Sequence, residues 1–397
     1  MTLRRLLAQS PGRWAAPVFS AIIALHLSLR GTEWMHEWLR TVLMVSFACV
    51  FLGPLAAGIG AVEGGRWARA EFMRAVDRPH SSTAVRAWGA LVAWLVLPIP
   101  AAFVAAGAVA KLRGLPGLPS PADLAQLATA ELLVVGWTSM GFAIGWRARA
   151  HFVVAPFVTG VAFSSTIALW GSRTMIVNTG GTFTSLVGMQ VNPWVIRAQA
   201  TFWIGATAGA IALLASRRQL RGATALGCIA VLVMVFGAQL GTRSDGLTFA
   251  RGPAALRCAP IDPGVPLCLA PGYESRRGAV AETIEAALGP WRRNGLPVPK
   301  RITQDAEDAR SSAMWIAGSE VLHPRVGDLQ SRLAMSLVPP GCDYWNRPAS
   351  DRALSLVMGT VITDPLPGEV LPAGATGPDH AARLREAIAV LHSCAGE

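Results

Sequence analysis

Two ionisable residues stand inside otherwise apolar segments, where they could take part in chemistry. His26 interrupts an early apolar run, and Glu131 interrupts the run from Leu124 to Trp146. A carboxylate within a membrane span is costly and usually faces a cavity or a partner, so Glu131 could contact a substrate, a cation or a proton. The alternative is that the span begins later and leaves Glu131 near the interface. His26 is expected to be a packed, hydrogen-bonded histidine rather than a ligand. Together the two residues are the candidate lining of a transport path.

Four of the six cysteines lie in the polar C-terminal part of the chain: Cys258, Cys268, Cys342 and Cys394. An even number of cysteines in such a region is typical of disulfide bonding in an oxidising compartment. Four cysteines allow three connectivities, of which we favour Cys258–Cys268 with Cys342–Cys394.

The remaining reactive side chains point away from metal binding and catalysis. The cysteine spacing is not that of a zinc finger, and His323, His380 and His392 occur singly, so no metal site is predicted. Cys49 and Cys228 fall in apolar runs and are expected to pack as inert side chains. The chain has no Gly-x-x-x-x-Gly-Lys-Ser/Thr loop, no His-Glu-x-x-His motif and no Gly-x-Ser-x-Gly elbow. We therefore expect the chain not to be an enzyme.

The composition is that of a multi-pass membrane protein. Of the 397 residues, 52% are hydrophobic and only 15% are charged, whereas a soluble domain carries roughly 25% charged residues. Runs of about 16 to 23 apolar residues are long enough to cross a bilayer as helices. Seven such spans are predicted, and Pro98 with Pro100 is expected to kink the third. The spans are Trp14–Leu29, Thr41–Val62, Trp88–Ala110, Leu124–Trp146, Phe152–Trp170, Ala200–Ala215 and Gly222–Leu240.

The arginines set the expected orientation. Arg217, Arg218 and Arg221 come directly before the last span and should hold its start in the cytoplasm. The N-terminus is then cytoplasmic and the C-terminal part extracytoplasmic, in the plasma membrane. The net charge is +11, but the arginines cluster between apolar runs, as in loops that face an anionic membrane leaflet. We therefore expect the partner of the basic residues to be membrane lipid and not nucleic acid.

The fold class predicted is an α-helical multi-pass membrane bundle followed by a small extracytoplasmic α+β domain. The domains are a six-span membrane domain at 1–216, the seventh span at 217–241 and a disulfide-stapled domain at 242–397. In the last, Ser275–Trp291 and Asp379–His392 have helical spacing, Gly289-Pro290 is a stop signal, and Leu354–Ile362 has the composition of a strand. The stretch Gly171–Gln199 is too polar for a span, and we expect an external, partly re-entrant element there.

The loop from Glu63 to Ala87 is the most informative segment between spans. The part from Ala68 onward is expected to form a short amphipathic helix that ends before Pro79 and carries Glu71, Phe72, Arg74, Asp77 and Arg78. Such a helix beneath a bundle is suited to docking a cytoplasmic protein. The alternative is that the loop only retains this end of the bundle in the cytoplasm through its positive charge.

Over about residues 1–216 the chain resembles the permease subunits of ABC-2 type transporters. Their loop after the second span carries a glutamate and a Pro-x-Ser turn, matched here by Glu71 and by the stretch from Arg78 to Ser81. The basic lead-in, six core spans and an irregular element between the fifth and sixth also agree. The family's Gly-Thr after the glutamate is absent.

The resemblance implies a permease that forms a dimer or pairs with a second permease. It also implies coupling through residues 63–87 to a separate cytoplasmic ATPase, which would hold the ATP and Mg²⁺, and transport in the export direction. The rival interpretation is a membrane anchor that displays an extracytoplasmic binding or sensory domain.

Overall fold

The computed structural model describes residues 7–74, 81–148, 151–170, 172–177, 186–215, 220–244, 247–252, 255–261, 264–305, 313–338, 347–361 and 380–393. The chain divides into two compact units. The first unit comprises Met1–Arg113, Gly117–Thr182 and Met189–Arg251, and the second comprises Gly114–Pro116, Phe183–Gly188 and Gly252–Glu397.

The first unit is a bundle of apolar helices. They are α1 (Gly12–Leu29), α2 (Trp38–Arg74), α3 (Ser81–Val96), α4 (Pro98–Leu112), α5 (Pro121–Ala148), α6 (His151–Trp170), α7 (Pro193–Ala215) and α8 (Leu220–Thr242). A short ribbon of β1 (Met189–Val191) and β2 (Phe249–Arg251) completes the unit. Within the described residues, six stretches are long and apolar enough to cross a membrane: α1, Trp38–Arg69, Ala84–Leu112, α5, Val153–Trp170 and Ala225–Thr242. The prediction of a helical membrane protein is confirmed at this level.

Helix α2 is the centre of the bundle. In its most apolar stretch 78% of the residues are buried, against 22% for α1 and 17% for α6. It packs on α5 through glycines that let the two backbones touch. A Cβ added to Gly141 would lie 1.9 Å from the carbonyl oxygen of Ala57, and one added to Gly145 would lie 2.0 Å from that of Ala61. Small residues four apart allow this close approach of membrane helices.

The pairing of residues gives the directions of the helices. Since Ala57 meets Gly141 and Ala61 meets Gly145, α2 and α5 run parallel, as two spans separated by one other span must. Helix α7 also runs parallel to α5, because Thr129 bonds Gln199 near one end and Arg147 bonds the carbonyl of Leu213 near the other.

Helix α7 is not among the six apolar stretches, although it has 23 residues. It carries Arg197 and Gln199 near its start, and these polar residues lower its mean hydropathy. It packs antiparallel to α8, since Gly205 lies against Met234 and Gly237 against Phe202. A seventh span thus stays a prediction.

The third predicted span is interrupted at its prolines, as expected. Helix α3 ends at Val96 and α4 begins at Pro98. Proline cannot donate the backbone hydrogen bond that a continuous helix requires.

The short helix predicted after the second span is not separate from that span. Helix α2 continues through Glu63 without a break to Arg74. The Glu63 carboxylate, at the predicted start of the loop, is only 2% exposed. It accepts a hydrogen bond of 2.7 Å from the indole of Trp67 and lies 3.4 Å from the Arg66 guanidinium. Partners four and three residues away therefore face this carboxylate within the helix, with a hydrogen bond to Oε1 and an ion pair to Oε2.

The second unit combines a sheet with helices around its own core. The strands β3 (Arg257–Ile261), β4 (Val265–Leu269), β5 (Arg301–Thr303) and β6 (Ala313–Trp315) lie in that order in one sheet. Strands β3 and β4 are antiparallel, and β4, β5 and β6 are parallel. The helices are α9 (Arg277–Arg293), α10 (Gly318–Leu322), α11 (Val326–Met335), α12 (Pro348–Val361) and α13 (His380–Ser393). Tyr273 and Trp291 are fully buried in its core.

Two local predictions for this unit are wrong. The stretch Leu354–Ile362, predicted as a strand, is helical in α12 up to Val361. Ala353, Leu354 and Val357 are buried there, which is the spacing of a helix face. The Gly289-Pro290 pair does not end α9, which continues to Arg293.

The disulfide Cys258–Cys268 is confirmed and joins β3 to β4, in which the two cysteines lie directly opposite each other. Cys342 and Cys394 lie outside the described residues, so their predicted pairing stays a prediction.

Arg277 ties the start of α9 to the same hairpin. Its guanidinium donates hydrogen bonds of 2.6 Å to the carbonyls of Leu267 and Arg257, and one of 2.9 Å to the Glu274 carboxylate. The hydrogen bond from Arg277 holds the pKa of Glu274 below its usual value.

Candidate functional site

A non-helical segment, residues 172–177, is built into the first unit after α6. Its backbone turns through a hydrogen bond from the Met175 N–H to the Ser172 carbonyl. Met175 has a φ of 54°, a conformation that side chains other than glycine rarely adopt. Met175, Ile176 and Val177 are all buried. The sequence predicted an irregular element here, and this part of it lies inside the bundle.

Side chains from α7 satisfy the carbonyl groups of this segment. Gln199 Nε2 donates a hydrogen bond of 3.0 Å to the carbonyl of Met175, and the Trp203 indole donates one of 2.9 Å to that of Ile176. Irregular backbone at membrane depth is stable only when protein or water supplies such partners. The segment is therefore held in place by α7.

Helix α5 contributes the third side of the same site. The Thr129 hydroxyl donates to Gln199 Oε1, 3.0 Å away, and lies 2.8 Å from the carbonyl of Gln126. We call Gln126, Thr129 and Gln199 the carboxamide cluster. All three side chains are buried, with 1 to 3% of their surface exposed.

Gln126 differs from the other members of the carboxamide cluster. Neither its amide nitrogen nor its amide oxygen has a hydrogen-bond partner among the described residues, yet the side chain is only 1% exposed. Burying an amide without partners costs about 1–3 kcal/mol by mutational data. Such a group is retained where something else can bond to it.

The carboxamide cluster has the chemistry of a neutral hydrogen-bonding site. Its side chains offer donors and acceptors but no charge. The nearby Asp123 is engaged in capping α5, since its carboxylate accepts a hydrogen bond of 2.8 Å from the Ser120 amide. The cluster can therefore hold a group that both donates and accepts, such as an amide, a hydroxyl or water. It has no member that titrates near neutral pH, and so no acid–base catalyst.

An aromatic wall borders the cluster. The rings of Trp137 and Trp203 lie 5.5 Å apart, and a Cβ added to Gly136 would come within 2.5 Å of the Trp203 ring. The glycine thus makes room for the indole that bonds Ile176. A few neutral polar groups beside aromatic surface are typical of small-molecule sites.

His26, predicted as part of a transport path, packs in an aromatic cluster. Its ring stacks on Phe47 with centroids 5.1 Å apart, and Phe47 also contacts Trp170 and the Arg30 guanidinium. The buried Nε2 has no hydrogen-bond partner in the described part of the chain. His26 is thus packed, but not hydrogen-bonded at Nε2.

Glu131, the other predicted path residue, is half-buried on α5. It lies near the fully buried Cys49 of α2. Among the described residues, no hydrogen bond or ion pair joins Glu131 to His26. The two residues are therefore not members of one hydrogen-bonded group.

The predicted ATPase-coupling residues fall at the end of α2. Glu71, Phe72 and Arg74 are helical, whereas Asp77 and Arg78 lie outside the described residues. Within the described part of the chain, no group of three or more His, Cys, Asp or Glu residues could hold a metal ion.

The carboxamide cluster is not among the sites predicted from the sequence. A signal existed, because Gln126 and Thr129 stand three residues apart in an apolar helix and therefore share one face. Carboxamides in membrane helices commonly bond across helices. What the sequence did not contain was the contact with Gln199, which is 70 residues further along the chain than Thr129.

Comparison with known proteins finds no match to this chain. No protein-family model, no curated protein and no solved structure matches it.

Proposed function

We propose that this protein is the permease subunit of an ATP-driven transporter similar to the ABC-2 type. The observation that carries the proposal is the non-helical segment 172–177, held inside the bundle by Gln199 and Trp203. Irregular backbone between membrane helices is a feature of proteins with a path for solutes, because it needs a protein or aqueous surrounding. A bundle that served only as an anchor would have no need of it.

The length of α2 supports coupling to a cytoplasmic ATPase. Its 37 residues correspond to about 55 Å, whereas the hydrocarbon core is about 30 Å thick. Even a tilted α2 therefore extends beyond the membrane at one end. We place the ATPase contact at this end, with Glu71, Phe72 and Arg74 and the following Asp77 and Arg78.

The proposed topology is a plasma-membrane protein with a cytoplasmic N-terminus and an extracytoplasmic second unit. The disulfide Cys258–Cys268 supports an oxidising compartment for that unit. The parallel course of α5 and α7 supports α7 as a further span, because helices that run side by side over their length cross the same thickness. The permease would pair with a second copy or a second permease and work as an exporter.

The substrate path proposed here passes the carboxamide cluster. Glu131 and His26 stay candidate path residues of the same bundle. ATP-driven reorientation would expose Gln126 to one side of the membrane and then to the other, in the sense of alternating access.

Co-purification tests this function. The protein is purified from gently solubilised membranes, and the triple variant Glu71→Gln, Arg74→Gln, Arg78→Gln is compared with the matched variant Glu282→Gln, Arg292→Gln, Arg293→Gln. The matched variant changes one acid and two arginines, all exposed, in α9. We expect an ATP-binding protein to accompany the intact chain and the matched variant but not the first variant. If no ATP-binding protein co-purifies with the intact chain, the permease proposal is contradicted.

The rival function is a membrane anchor for a binding or sensory domain. The observation that favours it is the separate hydrophobic core of the second unit. Under this function no ATPase accompanies the chain, so the same experiment distinguishes the two.

A further inference from the structure

A groove runs along the bundle between α1 and α4. It has a volume of about 680 Å³, and five of its thirteen lining residues are alanines: Ala24 on α1 and Ala101, Ala102, Ala105 and Ala106 on α4. Its size is within the range of about 300–1,000 Å³ of small-molecule sites.

The wall of the groove is apolar along its length. The Ser20 and Ser28 hydroxyls line it, but each donates to a carbonyl of its own helix, at 3.1 and 2.8 Å. A serine bonded in this way presents little polarity to a ligand. The groove therefore suits a hydrocarbon chain.

The length of the groove matches one membrane leaflet. On α1 the lining residues extend from Ser20 to Ser28, which corresponds to about 12 Å of helix, and Gly31 continues the groove beyond the end of α1. Half of the hydrocarbon core is about 15 Å. Trp34 lines the groove, and the Trp38 ring lies beneath the Lys111 ammonium, near the end of the groove at Gly31. Tryptophan is enriched at the membrane–water interface.

Positive charge borders the same end. Arg30 and Lys111 each come two residues after a lining residue, Ser28 and Val109, and Arg113 comes soon after. The Arg30 guanidinium lies over the Phe47 ring, and Lys111 lies over the Trp38 ring and donates to the Gly117 carbonyl. The nearby acid Glu33 is neutralised by an ion pair with Arg40. An anionic group at the interface would therefore be attracted to this mouth.

We propose that this groove binds one acyl chain of an anionic membrane phospholipid, with the acidic headgroup beside Arg30, Lys111 and Arg113. The charge at the mouth and the length of one leaflet select this occupant over an uncharged lipid. The inference depends on the membrane bundle alone and stands or falls independently of the proposed transport function.

Native mass spectrometry of the purified full-length chain in detergent tests the proposal. Phosphatidylglycerol and phosphatidylcholine with identical acyl chains are added in separate titrations. We expect phosphatidylglycerol to bind several-fold more tightly. Replacing Lys111 and Arg113 by glutamine should weaken the binding of phosphatidylglycerol by about fivefold for each cation removed. The binding of phosphatidylcholine should not change.

A tryptophan scan of α4 tests the groove itself. Ala105→Trp fills the groove, whereas Val104→Trp is the matched control, since Val104 is 69% exposed and does not line the groove. We expect Ala105→Trp to abolish lipid retention and Val104→Trp to preserve it.

Several results would overturn the proposal. The first is equal affinity of both lipids for the intact chain. The second is an equal effect of Ala105→Trp and Val104→Trp on lipid retention. The third is a change of oligomeric mass in Ala105→Trp, which would assign the groove to a second copy of the chain. If Ala105→Trp does not fold, the exposed pair Lys111→Gln and Arg113→Gln decides the outcome.

Discussion

The indole nitrogen of Trp203 lies 2.9 Å from the carbonyl oxygen of Ile176 and donates a hydrogen bond to it. This bond ties the third turn of α7 to the non-helical segment 172–177. Trp203 is 1% exposed, so the carbonyl has no access to bulk water if the indole nitrogen is removed. The position of the segment thus depends on one buried donor.

Replacing that donor should weaken the bundle. We expect Trp203→Phe to lower the free energy of unfolding by about 1–3 kcal/mol, because a buried carbonyl loses its partner. Denaturant titration in mixed micelles measures the change. Trp14→Phe is the control, since Trp14 is 69% exposed and should change the value little. Equal effects of the two substitutions would contradict this account.

Replacing the two glutamines of the carboxamide cluster by leucine should affect the free energy of unfolding differently. Gln126→Leu removes an amide with no partner, so stability should stay the same or rise. Gln199→Leu leaves the Met175 carbonyl without its side-chain donor and should cost about 1–3 kcal/mol. The same micelle titration compares them. Destabilisation by both variants would show that Gln126 has a structural partner and is not available to a ligand.

The contact of α2 with α5 should tolerate no added carbon. Gly141→Ala would place Cβ 1.9 Å from a backbone oxygen of α2, whereas Gly160→Ala meets no atom within 4 Å. We expect the first to destabilise the protein by about 1–3 kcal/mol or more, through overpacking. The second should be neutral or stabilising, since alanine favours helix. Thermal unfolding in detergent compares the two variants. An unchanged unfolding temperature in Gly141→Ala would mean that α2 and α5 can separate at this contact.

The disulfide of the β3–β4 hairpin should stabilise the second unit. Cys258 and Cys268 are 10 residues apart, and closing a loop of that size contributes about 2–3 kcal/mol. We expect Cys258→Ser to speed hydrogen exchange across β3 and β4. Cys228→Ser, which removes a free and exposed cysteine of α8, is the control and should leave this exchange unchanged. Thiol labelling that reaches Cys258 in the unreduced protein would contradict the pairing.

Acid should loosen the same hairpin through Glu274. Because the folded pKa of Glu274 is lowered, the ionised carboxylate stabilises the fold above the ordinary value of 4.5. This contribution is lost as the pH falls through the lower folded pKa. The protection factors of residues 257–277, in which the pH dependence of intrinsic amide exchange is divided out, should therefore fall with acidification in the intact chain and depend less on pH in Glu274→Gln. Glu282→Gln, which changes an exposed acid of α9, should behave like the intact chain.

The apolar spans could be predicted because length and hydrophobicity alone determine them. The end of α2 could not be predicted, because Glu63 resembles a polar span boundary in the sequence. In the structure Trp67 hydrogen-bonds its carboxylate and Arg66 forms an ion pair with it inside the helix. The pair Cys258–Cys268 was predictable from its short separation. Leu354 to Val361 has residues that favour strands, but the spacing of Leu354 and Val357 on a core was the stronger signal.

The carboxamide cluster could not be predicted as a unit. Gln126 and Thr129 are visible as polar residues in an apolar run, but their importance arises from Gln199 and from two backbone carbonyls of an irregular segment. Side-chain contacts between distant parts of a chain depend on helix packing. The residues that permit that packing are glycines such as Gly136, which have no chemistry of their own.

The glycine contacts also divide the bundle mechanically. Helices α2 and α5 touch backbone to backbone, and sliding one along the other would force Gly141 and Gly145 past the carbonyls of Ala57 and Ala61. The two helices are therefore expected to move together as one rigid unit. Helices α7 and α8 form a second closely packed pair through Gly205 and Gly237. A rearrangement that keeps both glycine contacts would move the α2–α5 pair relative to the α7–α8 pair, and the hydrogen bond between Thr129 and Gln199 joins these two pairs.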